Sequence, residues 1–250
     1  MIIEPNTSLV CASLLTGVYD VNRNENLKSD NFETIKAWYN SILKLDLNAV
    51  IFHNNFSAKT VELYETNTIK FLQVEYDTSY NPNIYRYFLY KNFLEKHKKN
   101  IANVFVTDIT DVEVINNPFK QKLFVENTEA LFCGDEPKRL NNSWMYDHST
   151  HLRNNISNFK SYEEKFADET LLNCGIIGGN INTMISVMNF LVEIHLKYGS
   201  SNKTAFTLDM GVFNYIARTI FGSNLIFGNP VNTIFKKYEK DSFNCWFRHK

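Results

Sequence analysis

The stretch Val104-Phe105-Val106-Thr107-Asp108-Ile109-Thr110-Asp111-Val112-Glu113-Val114 is the most informative part of this chain. Its first half is apolar and β-branched, which is typical of a buried strand, and its second half brings in Asp108 and Asp111. A buried strand that stops on carboxylates can hold a divalent metal ion at the carboxyl edge of a parallel sheet. The alternative is a turn in which Asp and Thr side chains bond to the backbone.

Strands and helices alternate through the first 110 residues, up to and including this stretch. The predicted strands are 8–15, 48–52, 69–76 and 103–109. One predicted helix is capped by Ser29 or Asp30 and has its apolar face from Phe32 to Leu45. A second helix begins at Asn81-Pro82 and runs through Leu94. Such alternation is typical of a parallel sheet with crossover helices. We therefore expect an α/β fold with a mostly parallel central sheet flanked by helices.

The second half of the chain is less regular, but it shows no linker. The predicted strands are 123–125, 130–133, 173–177, 225–227 and 243–247, the predicted helices are 182–197 and 209–220, and residues 138–158 are expected to form a loop. We expect a single domain over residues 1–250, because 250 residues fit one large domain.

Composition and charge exclude several classes of protein. The net charge of −1, without a long run of one sign, argues against a nucleic-acid partner. The four cysteines (Cys11, Cys133, Cys174 and Cys245) lack the spacing of metal-binding pairs, so we expect free thiols in a reducing compartment. The sequence shows neither a signal peptide nor an apolar run of about 18 residues, so we expect a cytoplasmic protein without a transmembrane segment.

Three further motifs place polar groups at the ends of predicted elements. The glycines of Asn173-Cys174-Gly175-Ile176-Ile177-Gly178-Gly179 allow either close approach to a ligand or a turn into the next helix. Asp209 begins a predicted helix, where it either faces a ligand or acts as an N-cap. His249 follows an aromatic run, and a neutral imidazole can complete a Mn²⁺ site that is built from carboxylates.

The order of these motifs resembles that of GT-A nucleotide-sugar glycosyltransferases, especially small bacterial and large-DNA-virus members, over about residues 8–250. The resemblance implies one Rossmann-like domain, with a nucleotide-binding half over about 1–110 and an acceptor- and sugar-binding half over 111–250. It also implies a Mn²⁺ or Mg²⁺ ion held by Asp108, Asp111 and His249. The family motif is Asp-x-Asp, and Asp108 lies one position away from its first acid. Asp108 is therefore a direct ligand, a ligand through water, or a contact of the nucleotide ribose.

The resemblance assigns roles to other residues as well. It implies that Asp209 is catalytic and faces the reacting sugar, and that the donor is bound by Thr16, Gly17, Arg86, Asp108, Asn173 and Gly175. Thr16 and Gly17 would seat the base and ribose, and Arg86 would face the diphosphate, whose oxygens match its guanidinium. The region expected to shape the acceptor site contains Gly134-Asp135-Glu136, Trp144, Asp147, His148, His151 and Arg153. Histidines in a loop are more often solvated, so no second metal is expected there.

The function implied by the resemblance is metal-dependent transfer of a sugar, with retention favoured over inversion. The donor would be a nucleotide diphosphate sugar, a UDP-sugar, and the acceptor a hydroxyl of a glycan or glycoconjugate. The compartment would be the cytoplasm of a bacterium or, for a viral protein, of its host cell. Two alternatives stay open: a non-catalytic carbohydrate-binding protein, and a sugar nucleotidyltransferase. The second usually has a Gly-rich basic loop after its first strand, which residues 16–20 lack.

Overall fold

The centre of the molecule is a β-sheet with helices on both faces. The structure is a computed structural model and describes residues 3–20, 25–198, 208–237 and 244–250. The strands in that part of the chain are β1 Thr7–Leu14, β2 Tyr19–Asp20, β3 Glu25–Asn26, β4 Ala49–His53, β5 Ile69–Gln73, β6 Ile101–Thr107, β7 Val112–Val114, β8 Leu131–Arg139, β9 Thr170–Asn180, β10 Leu225–Phe227 and β11 Phe247–His249. The helices there are α1 Lys36–Lys44, α2 Ala58–Tyr64, α3 Pro82–His97, α4 Lys122–Glu126, α5 Ser143–His148, α6 Thr150–Asn155, α7 Phe159–Lys165, α8 Ile181–Lys197 and α9 Asp209–Ile220.

The strand order of the sheet creates a crevice beside β1. Seven strands of the described chain pair in the order β10-β8-β9-β6-β1-β4-β5, and β9 alone is antiparallel to its neighbours. From β1 the chain adds β4 and β5 on one side and then crosses to β6 on the other, as in a Rossmann-like fold. Ligands of such sheets bind outside the carboxyl ends of the strands at this switch point. The predicted α/β class, with a mostly parallel sheet flanked by helices, is confirmed.

The first strand is buried on both faces, which explains its continuous apolar run. Leu9 and Cys11 belong to a core with residues of α3, α8 and α9, whereas Val10 and Ala12 belong to a core with α1. Alternating side chains of a strand point to opposite faces, so this division follows from the sequence. None of the described helices combines the length and the apolar character that a bilayer crossing requires.

Most element predictions are confirmed, but the cap, two segments and the bounds of the last strand are wrong. Asp30 Oδ1 accepts hydrogen bonds from Ser57 N (2.8 Å) and Thr60 Oγ1 (2.7 Å). Asp30 therefore stabilises the start of α2 and does not, contrary to the prediction, cap the helical segment that begins at Phe32. Residues 123–125 lie in helix α4, where one residue of the three, Phe124, is fully buried. Residues 138–158 contain α5 and α6, which are too short to show helical periodicity. The last strand begins at Phe247, and residue 243 lies outside the described residues.

The Gly178-Gly179 pair lies inside β9 and does not end it. Gly178 is opposite both Phe105 and Phe132, and a Cβ at Gly178 would overlap the ring of Phe105. We expect Gly178→Ala to lower the free energy of unfolding by about 3 kcal/mol, because overpacking a tight core forces side chains or backbone to shift.

Urea denaturation measures this difference. Gly222→Ala is the matched control, because a Cβ at Gly222 meets no atom within 4 Å. Equal stability of the two variants would contradict the packing of Phe105 on Gly178.

Candidate metal centre

Two carboxylates and an imidazole converge at the carboxyl end of β6. Asp108 directly follows β6, Asp111 directly precedes β7, and His249 ends β11, which pairs antiparallel with β7. The His249 Nε2 atom lies 3.8 Å from Asp111 Oδ2 and 4.0 Å from Asp108 Oδ2. One ligand atom from each residue falls within 4.8 Å of the others, so the group could hold a metal ion. The sequence named the same three residues.

The surroundings of the three residues fit a bound cation. His249 is buried, and within the described residues its Nδ1 atom has no hydrogen-bond partner, while Nε2 faces the two carboxylates. Gly175 of β9 closes the other side: a Cβ there would lie 2.6 Å from His249 Cε1 and 2.7 Å from Asp108 Oδ2. A glycine therefore keeps the space between the ligands open.

This close approach makes Gly175→Ala a test of the centre. The added methyl group must displace His249 or Asp108, so we expect metal affinity to fall at least about tenfold while the fold is retained. Manganese binding followed by electron paramagnetic resonance measures the change. Gly134→Ala is the control, because a Cβ at Gly134 makes ordinary contacts of 3.5 Å or more. Unchanged affinity in Gly175→Ala would place the metal elsewhere.

Arg86 lies behind the metal centre and joins it to a second acid. It projects from α3, is buried, and donates through Nη1 to Asp108 Oδ1. Its Nη2 atom lies 3.8 Å from Asp209 Oδ2 and donates to the carbonyl of Cys174 at 3.5 Å. Asp108 thus faces Arg86 with one oxygen and His249 with the other. Arg86 also lines the pocket at the switch point of the sheet, but its guanidinium is already in contact with Asp108 and Asp209.

Asp209 is the first residue of α9 and is buried. The capping position of this helix is Leu208, so the N-cap interpretation of Asp209 is wrong. Burial raises the pKa of the Asp209 carboxyl above its usual range, and Arg86 offsets part of that rise. The Cys174 thiol lies 3.5 Å from Asp209 Oδ2, a contact that no local sequence pattern predicts.

Asn173 fixes the part of strand β9 that carries Gly175. Its Oδ1 accepts a hydrogen bond from Gly175 N (2.7 Å), and its Nδ2 donates to Glu136 Oε1 (2.9 Å). The side chains of Asn173 and Glu136 are buried, so the Asn173 amide is held in one orientation. Asn214 is also fully buried, and its amide bonds to the backbone of Leu172, which ties α9 to β9.

A pocket of about 150 Å³ opens at the switch point between β1 and β6. Its walls combine apolar and polar side chains, among them Leu15, Leu27, Pro82, Arg86, Asp108 and Asp111. Thr16 and Gly17 lie directly after Leu15 but are not part of the wall. Thr16 is held by Asn54, whose amide pairs with its backbone N and O at 2.9 Å each, and Gly17 adopts a positive φ of 85°.

The region expected to shape an acceptor site divides into two parts. Gly134, Asp135 and Glu136 lie on β8 beside Asn173, and burial raises the pKa of the Asp135 carboxyl. The helical residues make local contacts instead: Arg153 pairs with Glu163 at 2.6 Å, the rings of Trp144 and His148 stack at 3.9 Å, and His151 contacts the Tyr198 carbonyl. Asp147 lies on α5 with Trp144 and His148. The histidines of this region are not part of a metal-type cluster among the described residues.

Comparison with protein-family models and with curated proteins finds no match for this chain. The chemistry of the site therefore has to carry the functional interpretation.

Proposed function

We propose that this protein is a metal-dependent glycosyltransferase that moves a sugar from a nucleotide diphosphate donor, a UDP-sugar, to a hydroxyl of a glycan or glycoconjugate. The observation that carries the proposal is the position of Asp108, Asp111 and His249. They meet at the switch point of a Rossmann-like sheet, and Asp108 and Asp111 line a pocket there together with apolar side chains.

The donor set supports Mn²⁺ or Mg²⁺ as the cofactor. Carboxylate oxygens suit both ions, and both usually complete their coordination with water and substrate phosphates. When bound, the ion supplies positive charge for the two phosphates and stabilises the departing diphosphate.

The pocket suits the nucleoside part of the donor. Leu14, Leu15, Leu27 and Pro82 offer apolar surface for a base and ribose, and Asp108 and Asp111 line the same pocket. A nucleotide bound there would have its diphosphate beside the carboxylates. Asn54 and Gly17 shape the backbone that follows Leu15, so they support this part of the site without lining it.

Asp209 is the candidate catalytic residue. Its buried carboxylate, 3.8 Å from the Arg86 guanidinium, can orient sugar hydroxyls or stabilise positive charge that develops on the sugar, as carboxylates do in glycoside hydrolysis. An inverting enzyme needs a base that reaches the acceptor hydroxyl. Asp209 is buried against Arg86, so we assign it the orienting and charge-stabilising role and not that of the base.

A ligand titration tests the proposal. The midpoint of thermal unfolding is measured with UDP, GDP and their common sugar conjugates, with and without Mn²⁺. A Mn²⁺-dependent rise with one nucleotide is expected, because a ligand that binds the native state stabilises it. Hydrolysis of the donor, lost when metal is removed, separates an enzyme from a carbohydrate-binding protein. UTP and GTP are titrated in parallel: a rise with these triphosphates alone would favour a nucleotidyltransferase, and no rise with any nucleotide would overturn the proposal.

A further inference from the structure

We propose that Glu113 is a positioning residue that holds His249 in the metal centre by pairing with both neighbours of that histidine, Arg248 and Lys250. The inference rests on the proposed metal centre, but it concerns a different residue and a different face of the β7–β11 ribbon. The Glu113 side chain contacts Arg248 and Lys250 and acts on His249 through them.

The register of the ribbon places His249 on one face and the charged residues Glu113 and Arg248 on the other. His249 is opposite Val112, Arg248 is opposite Glu113, and Phe247 is opposite Val114. Side chains alternate along a strand, and directly opposed residues share a face. Val112, Val114, Phe247 and His249 are buried, which defines the inner face. The outer face therefore carries Glu113, Arg248 and, by the same alternation, Lys250.

Glu113 contacts both outer-face cations. Its Oε2 atom lies 2.9 Å from Arg248 Nη1, and its Oε1 atom contacts Lys250 Nζ. The carboxylate is about one-fifth exposed, so solvent screens these pairs less than it screens pairs on an open surface. The Arg248 pair is directly across the ribbon and the Lys250 pair is diagonal, so Glu113 contacts the residues on both sides of His249 in the sequence.

The backbone of β11 is anchored on both sides of His249, and the pairs of Glu113 add side-chain contacts to these anchors. Trp246 and Phe247 are buried in the core, and Trp246 N donates to the Pro230 carbonyl at 2.8 Å. Beyond Phe247, the described backbone contacts include His249 N to Thr233 Oγ1 (3.2 Å) and Lys250 N to the Asp111 carbonyl (2.9 Å). A slip of one residue would turn the imidazole to the outer face.

A purely electrostatic role for these charges predicts a different result. Arg248 and Lys250 are cations near a site for a cation, so removing them would strengthen metal binding if charge alone mattered. If they hold His249 in place, removing them weakens metal binding. The sign of the effect therefore separates the two explanations.

The test measures Mn²⁺ affinity by electron paramagnetic resonance in Glu113→Gln, Arg248→Gln, Lys250→Gln and the variant with all three changes. We expect Glu113→Gln to weaken binding about tenfold, as loss of an outer-shell partner typically does. We expect Arg248→Gln to weaken it too, and the triple variant to bind about as weakly as Glu113→Gln. Tighter binding in Arg248→Gln and Lys250→Gln, or wild-type affinity in Glu113→Gln, would overturn the inference. Lys122→Gln, on exposed helix α4, controls for loss of a lysine charge.

A second readout needs no metal. The His249 ring lies 4.5 Å from the Phe235 ring in an edge arrangement, so its proton resonances are shifted by the ring current. In metal-free Glu113→Gln these resonances should move toward those of a solvated histidine. If the resonances move in Glu113→Gln but the wild type binds no metal, the positioning role stands and the proposed metal-dependent function is overturned. If the wild type binds metal but Glu113→Gln changes neither the affinity nor the resonances, the proposed function stands and the positioning role is overturned.

Discussion

Replacing Asp111 with asparagine is expected to weaken Mn²⁺ binding at least about a hundredfold and to abolish the metal-dependent nucleotide shift. Changes in residues that only support ligands typically cost ten- to a hundredfold in affinity, so loss of a direct ligand should cost at least as much. Asn is nearly isosteric with Asp, and the backbone carbonyl of Asp111 still accepts the hydrogen bond from Lys250 N. The fold should therefore be unaffected.

Electron paramagnetic resonance of free Mn²⁺ and the thermal midpoint with UDP measure the two effects. Asp168→Asn is the matched control, because Asp168 is exposed and pairs with Arg139 on the surface. If Asp111→Asn binds Mn²⁺ as tightly as the control, the ion does not lie between Asp108, Asp111 and His249. The proposed use of these residues to hold the diphosphate would then be wrong.

The parts of this site that could be predicted from the sequence are the local ones. Asp108 and Asp111 follow a buried strand of the chain, so their place at the carboxyl edge of the sheet follows from the strand alone. The helix over 209–220 was predicted correctly because its apolar positions repeat over three turns. Resemblance to a family named His249, but the pairing of β7 with β11 brings it to the acids, and no local pattern predicts that pairing.

The arrangement behind the metal centre could not be predicted in the same way. Arg86, Asp108, Cys174 and Asp209 come from four separate elements, and their contacts exist only once the sheet and its helices are packed. The resemblance implied a phosphate-facing arginine, and Arg86 lines the pocket, but its contacts with Asp108 and Asp209 follow only from the folded structure. The helices α5 and α6 were missed for another reason: six residues make fewer than two turns, which leaves no periodic pattern to detect.

The Asp209→Asn variant should separate catalysis from binding. Sugar transfer is expected to fall about a hundredfold or more, as it does when one preorganised polar group at a reacting centre is lost. Metal affinity should change little, since Arg86 still donates to Asp108 Oδ1. The kcat of the transfer and the Mn²⁺ affinity are measured on the same preparation, with Asp168→Asn as the control. Full activity in Asp209→Asn would show that its carboxylate serves only to balance Arg86.

The stability of the same variant tests the buried charge. Burial raises the pKa of Asp209 in the folded protein, so the folded state binds this proton more tightly than the unfolded state does. The wild type therefore loses stability as the pH rises from the unfolded pKa through the raised folded pKa, and it stays less stable above that window. Asparagine has no proton to lose. In urea denaturation, Asp209→Asn should be more stable than the wild type at neutral pH, and the difference should shrink as the pH falls through the raised folded pKa toward about 4, the usual pKa of an unfolded Asp. A difference that is independent of pH would mean that the pKa of the Asp209 carboxyl is the same in the folded and the unfolded protein, so that Arg86 fully offsets the effect of burial.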